Sequence, residues 1–171
     1  MGSKVEDTDS VARLIEQLAG DDAARREKSR QALVQLGGAD VTRALVASLL
    51  DPHPHVRWEA AKALQSIADS VAAPALMHAL DDEDEDVRWV AAEALIALEK
   101  AGLVTVLSGL ISRAGSVAFC TSAHHVLHEM KKFAAVVAPV IRALEQSEPA
   151  VAAPPAAYKV LVALNGEPAA D

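Results

Sequence analysis

The chain has one cysteine, Cys120, so no intrachain disulfide can form, and the lone thiol predicts a reducing, cytoplasmic setting. Aromatic residues make up only 3% of its 171 positions, too few for the β-rich cores that aromatic and β-branched side chains build. No stretch approaches the roughly 20 consecutive apolar residues of a membrane-spanning helix. The longest candidate, AAVVAPVI at 134–141, is short and contains Pro139. The opening MGSKVEDTDS is polar and acidic and lacks the apolar centre of a secretory signal. A glycine-rich phosphate loop, a nucleophile elbow and a pair of catalytic carboxylates are all missing, so the expectation is a protein without catalysis or cofactor. Positive charge is scarce too. Sixteen Lys and Arg face 24 Asp and Glu, a net charge of −8 that repels phosphate backbones and argues against nucleic acid as a partner. The one dense basic cluster, Arg25, Arg26, Lys28 and Arg30, is interrupted by Glu27 and reads as the solvated face of a helix.

What the chain does contain is alanine, leucine and valine in a repeating order. VRWEAAKAL begins at Val56 and VRWVAAEAL at Val87, thirty-one residues later, with the only two tryptophans at the same place in each phrase. Leu33, Leu64, Leu95, Leu127 and Leu161 recur at steps of thirty-one to thirty-four, each followed three residues on by Leu36, Ile67, Leu98, Met130 or Leu164. A second series, Leu14, Leu45, Leu76 and Leu107, is accompanied four residues later by Leu18, Leu49, Leu80 and Ile111. Intervals of three and four mark one face of a helix, so each unit holds two amphipathic helices. A period in this range predicts stacked repeats, here about five units at approximately 9–38, 39–69, 70–100, 101–133 and 134–166. DPHPH at 51–55 and DDEDED at 81–86 separate the two helices of their units. Pro54 stands where a first-turn proline is tolerated, and Asp84 and Asp86 bring negative charge to a helix N-terminus. Gly37-Gly38 and Asn165-Gly166 end helices.

The stretch LLDPHPHVRWEAAKALQSIADSVAAPALMHALDDEDEDVRWVAAEALIAL resembles tandem HEAT repeats of the short bacterial kind related to phycobilisome-lyase repeats. That resemblance implies an all-α, right-handed α-solenoid of about five helix pairs. It also implies a ladder between units, with Asp51 and Asp82 as its acids and Arg57 and Arg88 as its bases. The first unit keeps Arg26. The fourth and fifth have Phe119-Cys120 and Ala153-Pro154 where Val-Arg would stand, so the ladder is expected to stop near residue 100.

In such a solenoid the second helices line a concave groove. With Val56, Ala60, Ala63, Leu64 and Ile67 turned to the core, Trp58, Glu59 and Lys62 are expected to point into that groove, followed by Trp89, Val90 and Glu93, then Thr121, Ser122 and His125. The two indoles would form one aromatic patch on neighbouring helices about 8–10 Å apart. A tryptophan pair with a mixed polar rim suits a protein partner, so Trp58, Glu59, Lys62, Trp89, Val90, Glu93, Ser122 and His125 are the candidate partner-binding residues of a scaffold module.

FCTSAHHVLHEM places Cys120, His124 and His128 in one line along a helix. Either adjacent pair could share a metal, but all three cannot, because eight residues rise about 12 Å. The simpler expectation is no metal, with His124 in a helix interface and His125 and His128 toward the groove. An alternative function follows from the lyase resemblance: a tetrapyrrole- or metal-handling subunit using His125 or His128. The di-iron hydroxylases among HEAT-repeat proteins place His-Glu pairs after the second-helix Arg. Here Trp58-Glu59, Trp89-Val90 and Thr121-Ser122 stand there, which excludes that chemistry. At the C-terminal end, Pro154-Pro155 predicts a short last helix starting near Pro155. Tyr158, Val160 and Val162 then either fold against the fourth unit or meet a partner or a second copy.

Overall fold

The computed structural model describes residues 3–166, with side-chain burial from Ser10 onward. Among these residues there are helices and no strands. They run in chain order as α1 (Ser3–Leu18), α2 (Ala23–Leu36), α3 (Gly38–Ser48), α4 (Pro54–Ile67), α5 (Ala73–Ala79), α6 (Glu85–Ala97), α7 (Lys100–Arg113), α8 (Val117–Glu129), α9 (Ala134–Leu144) and α10 (Pro149–Gly166). Single 3-10 turns precede α5 and α9. None of the described helices is long and apolar enough to cross a membrane.

Local chemistry sets the helix ends. Asp22 and Asp84 accept hydrogen bonds from the first free N–H groups of α2 and α6, and Ser116 does the same for α8. Pro54 opens α4, and Gly37 closes α2 with a positive φ of 56° that favours glycine. The helices pair as α1–α2, α3–α4, α5–α6 and α7–α8, and the second helices α2, α4, α6 and α8 stack on one another in a continuous layer. Leu33, Leu45, Leu64, Leu76, Leu95, Leu107 and Leu127, all from the repeated leucine series, are fully buried between the layers. Ile111 is not. On α7 the buried set is Leu103, Val106, Leu107 and Leu110, so the face is turned one residue away from the fourfold spacing of the earlier units.

The ladder has one complete rung. Arg57 donates from Nε and Nη2 to both oxygens of Asp82, at 2.8 and 2.7 Å, and from Nη1 to the Asp51 and Pro52 carbonyls. Arg26 and Arg88 donate to the carbonyls of the turn before their own helix and reach no aspartate of the next unit. In the next interval Asp81 replaces Asp82, accepting from Arg113 at 3.0 Å and from the Ser116 hydroxyl. Burial pushes the Asp81 carboxyl up, but the Ser116 and Arg113 donors outweigh it and hold it below the usual carboxylate range. The folded state thus binds this proton less readily than the unfolded chain, whose value is about 3.9. The stabilisation is complete above that value and is lost as pH falls through the lower folded one. Asp81→Asn is expected to be less stable than the parent near neutral pH, with the gap shrinking below about pH 4. Urea melts at both pH values check this, and a gap that does not change with pH would contradict it.

The last pair departs from the pattern. α9 packs against α8, and α10 packs on α7 as well as on α9, so the two helices have exchanged layers relative to the units before them. α10 also begins at Pro149 rather than near Pro155, and runs through Pro154 and Pro155. Pro149 occupies the tolerated first-turn position, and the Glu148 carbonyl accepts from the Val151 and Ala152 N–H groups. The donors missing at Pro154 and Pro155 would have served the carbonyls of Ala150 and Val151, both residues exposed to solvent. Ala153, Ala157 and Val160 are buried by this packing, so Val160 belongs to the core and not to the outer surface. Tyr158 and Val162 do not fold inward; they stay 61% and 53% exposed.

Candidate functional site

The first turns of α2, α4, α6 and α8 lie side by side and carry two grooves. One, of about 550 Å³, is walled by Arg26, Arg30, His55, Trp58 and Glu59, with Asp84 and Asp86 at its far edge. The other, of about 240 Å³, lies between α6 and α8 and is lined by Glu85, Arg88, Trp89, Thr121, Ser122 and His125.

The predicted groove residues divide into columns. Glu59, Val90 and Ser122 hold equivalent positions on α4, α6 and α8, and all three are buried, contrary to their expected place on the rim. A second helix inside the array packs on its own first helix and also on the second helix before it. That lateral contact covers a position which counting along an isolated helix leaves outside. The corresponding residue of the first unit, Lys28, has no preceding second helix to cover it and is exposed. Burial of Glu59, 5% exposed, is made tolerable by two cations from α2. Arg30 Nη1 donates at 2.6 Å, and Arg26 Nε lies at 3.6 Å. Arg26 and Arg30 are therefore not a solvated helix face. Their spacing of four residues was visible in the sequence, but the carboxylate that they hold lies a full repeat away.

Trp58, Trp89 and Thr121 form the next column, with Lys62, Glu93 and His125 beside it. The indoles do not join into one aromatic patch, since each has a different neighbour. Trp58 is half-buried, and the Arg30 guanidinium stands 5.5 Å from its ring centroid, from the preceding unit. Trp89 faces the following unit and stacks on the His125 ring, with centroids 4.5 Å apart and an interplanar angle of 29°. His125 Nε2 donates to Glu93 Oε1 at 3.1 Å, which fixes the imidazole under the indole. Trp89 nevertheless remains 58% exposed. Lys62 is drawn aside to Gln65.

Cys120, His124 and His128 share a helix face without converging. The Cys120 thiol donates to the Ala114 carbonyl, and burial pushes its pKa up, which keeps it protonated. His124 donates to Glu145 across to α9, and its ring stacks on that of His128 at 6.1 Å. His128 itself is exposed beside Glu129 and Lys131. Among the described residues no three His, Cys, Asp or Glu side chains gather where they could hold a metal ion.

The family model for HEAT repeats matches residues 4–96. Among curated proteins no match was found. Among solved structures the chain is similar to one in the complex of CpcE and CpcF of phycocyanin lyase from Nostoc sp. PCC7120, at 21% identity and a TM-score of 0.50. That alignment covers 91% of this chain and 65% of the other, so the chain spans just under two thirds of its neighbour's length. An engineered protein aligns over 95% of this chain and 82% of its own, at 18% identity and a TM-score of 0.41. At 21% identity the likeness to the lyase chain speaks for the fold alone.

Proposed function

Because the chain belongs to the HEAT-repeat family, we propose that it is a non-catalytic binding module for another protein, working through the strip formed by the first turns of its second helices. The observation that carries this reading is Trp89. An indole left 58% exposed at a groove wall is usually costly to keep, and here it is held in one orientation by His125 and Glu93. A rigid exposed aromatic ring beside a polar rim is the form that interface anchors take. Trp58, under Arg30, is a supporting wall, and Glu59 and Val90 act by holding the helices together.

The test needs the partner in hand. A photo-crosslinking side chain at Thr121, which lines the Trp89 groove, should capture it in cells. Trp89→Ala is then expected to weaken binding of the purified partner by about 2 kcal/mol, roughly thirtyfold. Its melt should stay within about 0.5 kcal/mol of the parent, as for other surface changes. Unchanged affinity would end the proposal. A second reading, a tetrapyrrole- or metal-handling subunit using His125 or His128, is favoured by the imidazole set against the indole in the same groove. A Soret, bilin or metal band acquired by the purified protein would support it over the first. The cytoplasm suits either reading, since Cys120 is unpaired.

A further inference from the structure

Helix α10 is apolar on every side. Its eighteen residues carry one charged side chain, Lys159, on a chain that is 23% charged overall. Ala153, Ala157 and Val160 account for the inner face. The opposite face holds Val151, Pro155, Tyr158 and Val162, with Val151 69% exposed and Tyr158 and Val162 more than half exposed. A helix without a polar face is normally covered.

We infer that this outer face of α10 is the interface of a two-fold dimer of this chain. Three observations choose a second copy as the occupant. The intervals from Val151 to Pro155, Tyr158 and Val162 are four, three and four residues, the spacing of a seam between two helices. The same intervals read identically in either direction. Two antiparallel copies of α10 therefore place Val151 opposite Val162 of the partner subunit, and Pro155 opposite Tyr158 of the partner subunit, with both pairs made twice. That is the self-complementarity a two-fold interface requires.

Charge gives the second argument. Copies with a net charge of −8 repel over most of their surface, and among the described residues the stripe of Val151, Pro155, Tyr158 and Val162 carries no carboxylate. Lys159 flanks the stripe and can extend to solvent. The third argument excludes head-to-tail stacking. The opposite end of the solenoid exposes Arg25, Lys28 and Gln31 on α2, and burying these against the last helix pair would strand their polar groups.

The available area sets the strength. Eighteen residues at 1.5 Å each make a helix about 27 Å long, and the flank of α9 beside it brings the face to on the order of 500 Å² per copy. The pair then buries about 1,000 Å², the lower end for a specific contact, so the dimer is weak and in the micromolar range.

Sedimentation equilibrium of the 171-residue chain from about 1 to 100 µM tests this, with a reversible monomer–dimer transition expected in that range. Tyr158→Glu and Val162→Glu should each weaken the dimer at least about tenfold. Both positions face solvent in the monomer, so the melts should not change, and Val151→Lys serves as a second variant should either fail to fold. Register is read by oxidation in a Cys120→Ala background. Val151→Cys mixed with Val162→Cys should form a disulfide-linked pair, and neither variant should do so alone. A chain that is monomeric throughout, a dimer indifferent to all three charged variants, or cross-linking of Val151→Cys to itself would each overturn the inference.

Discussion

Replacing Arg57 with alanine is expected to cost about 3–5 kcal/mol of folding stability, because the change strands a buried carboxylate. Arg57 and Asp82 are both nearly sealed from solvent, with side chains 8% and 10% exposed. The pair is bidentate, and the Asp82 hydrogen bond leads the causes that raise the Arg57 pKa despite the opposing effect of burial. The same guanidinium also satisfies two carbonyls of the 51–52 turn. Its removal thus frees the turn within the second unit and takes away the polar link to the third. Arg88→Ala is the control, since Arg88 bonds only to the Asp82 and Glu83 carbonyls and no next-unit carboxylate depends on it. Urea denaturation of both variants reads the difference. If Arg57→Ala and Arg88→Ala melt together, the rung between units contributes nothing.

Gly102→Ala is expected to lose at least about 3 kcal/mol, the upper end of what overpacking costs. A Cβ at Gly102 would lie 1.9 Å from the backbone carbonyl oxygen of Leu95, so the added methyl meets the α6 main chain, which no rotamer change can move. Relief requires α7 to shift bodily. Seven residues along the same helix, Gly109 sits against the Phe119 ring and the Met77 thioether, where a Cβ would come within 2.6 and 2.9 Å. The helix is therefore held close at two points two turns apart. Gly115→Ala, in open space, is the matching control and should stay within about 0.5 kcal/mol of the parent. Thermal melts of the two variants settle it, and a Gly102→Ala chain as stable as Gly115→Ala would mean that α6 and α7 are less tightly apposed.

Much of the fold was legible in residue order because its cause is local. Leucines at intervals of three and four name a helix face, and Asp84, Pro54 and Gly37 punctuate it by the hydrogen-bonding needs of helix ends. The Arg57–Asp82 rung was legible through family likeness. The site was only partly so. Trp89 does stand exposed in a groove as its position in the repeat implied, but Glu59, Val90 and Ser122 do not. A carboxylate reads as a surface group until a neighbouring unit supplies Arg26 and Arg30, and that neighbour is not written beside it. Pro154-Pro155 misled for a related reason. Two prolines in series read as a helix start, whereas the interior of α10 accepts them because the carbonyls they fail to serve belong to solvent-facing residues.

The exchange of layers in the final pair bears on the order in which the chain assembles. In the regular part, each second helix can dock as soon as the unit before it exists, so structure can spread from one repeat to the next. α10 keeps that rule through a different helix, because its support is the first helix of the unit before it. Its main support, α7, lies farther back along the chain than the partner in any of the stacked pairs α2–α4, α4–α6 and α6–α8. Closing that longer segment costs only about 0.4 kcal/mol more, since the entropy grows with the logarithm of loop length. Docking of α10 therefore ties the last pair to the one before it through the first-helix layer, and the nearest-neighbour growth of a linear array extends to the C-terminal end.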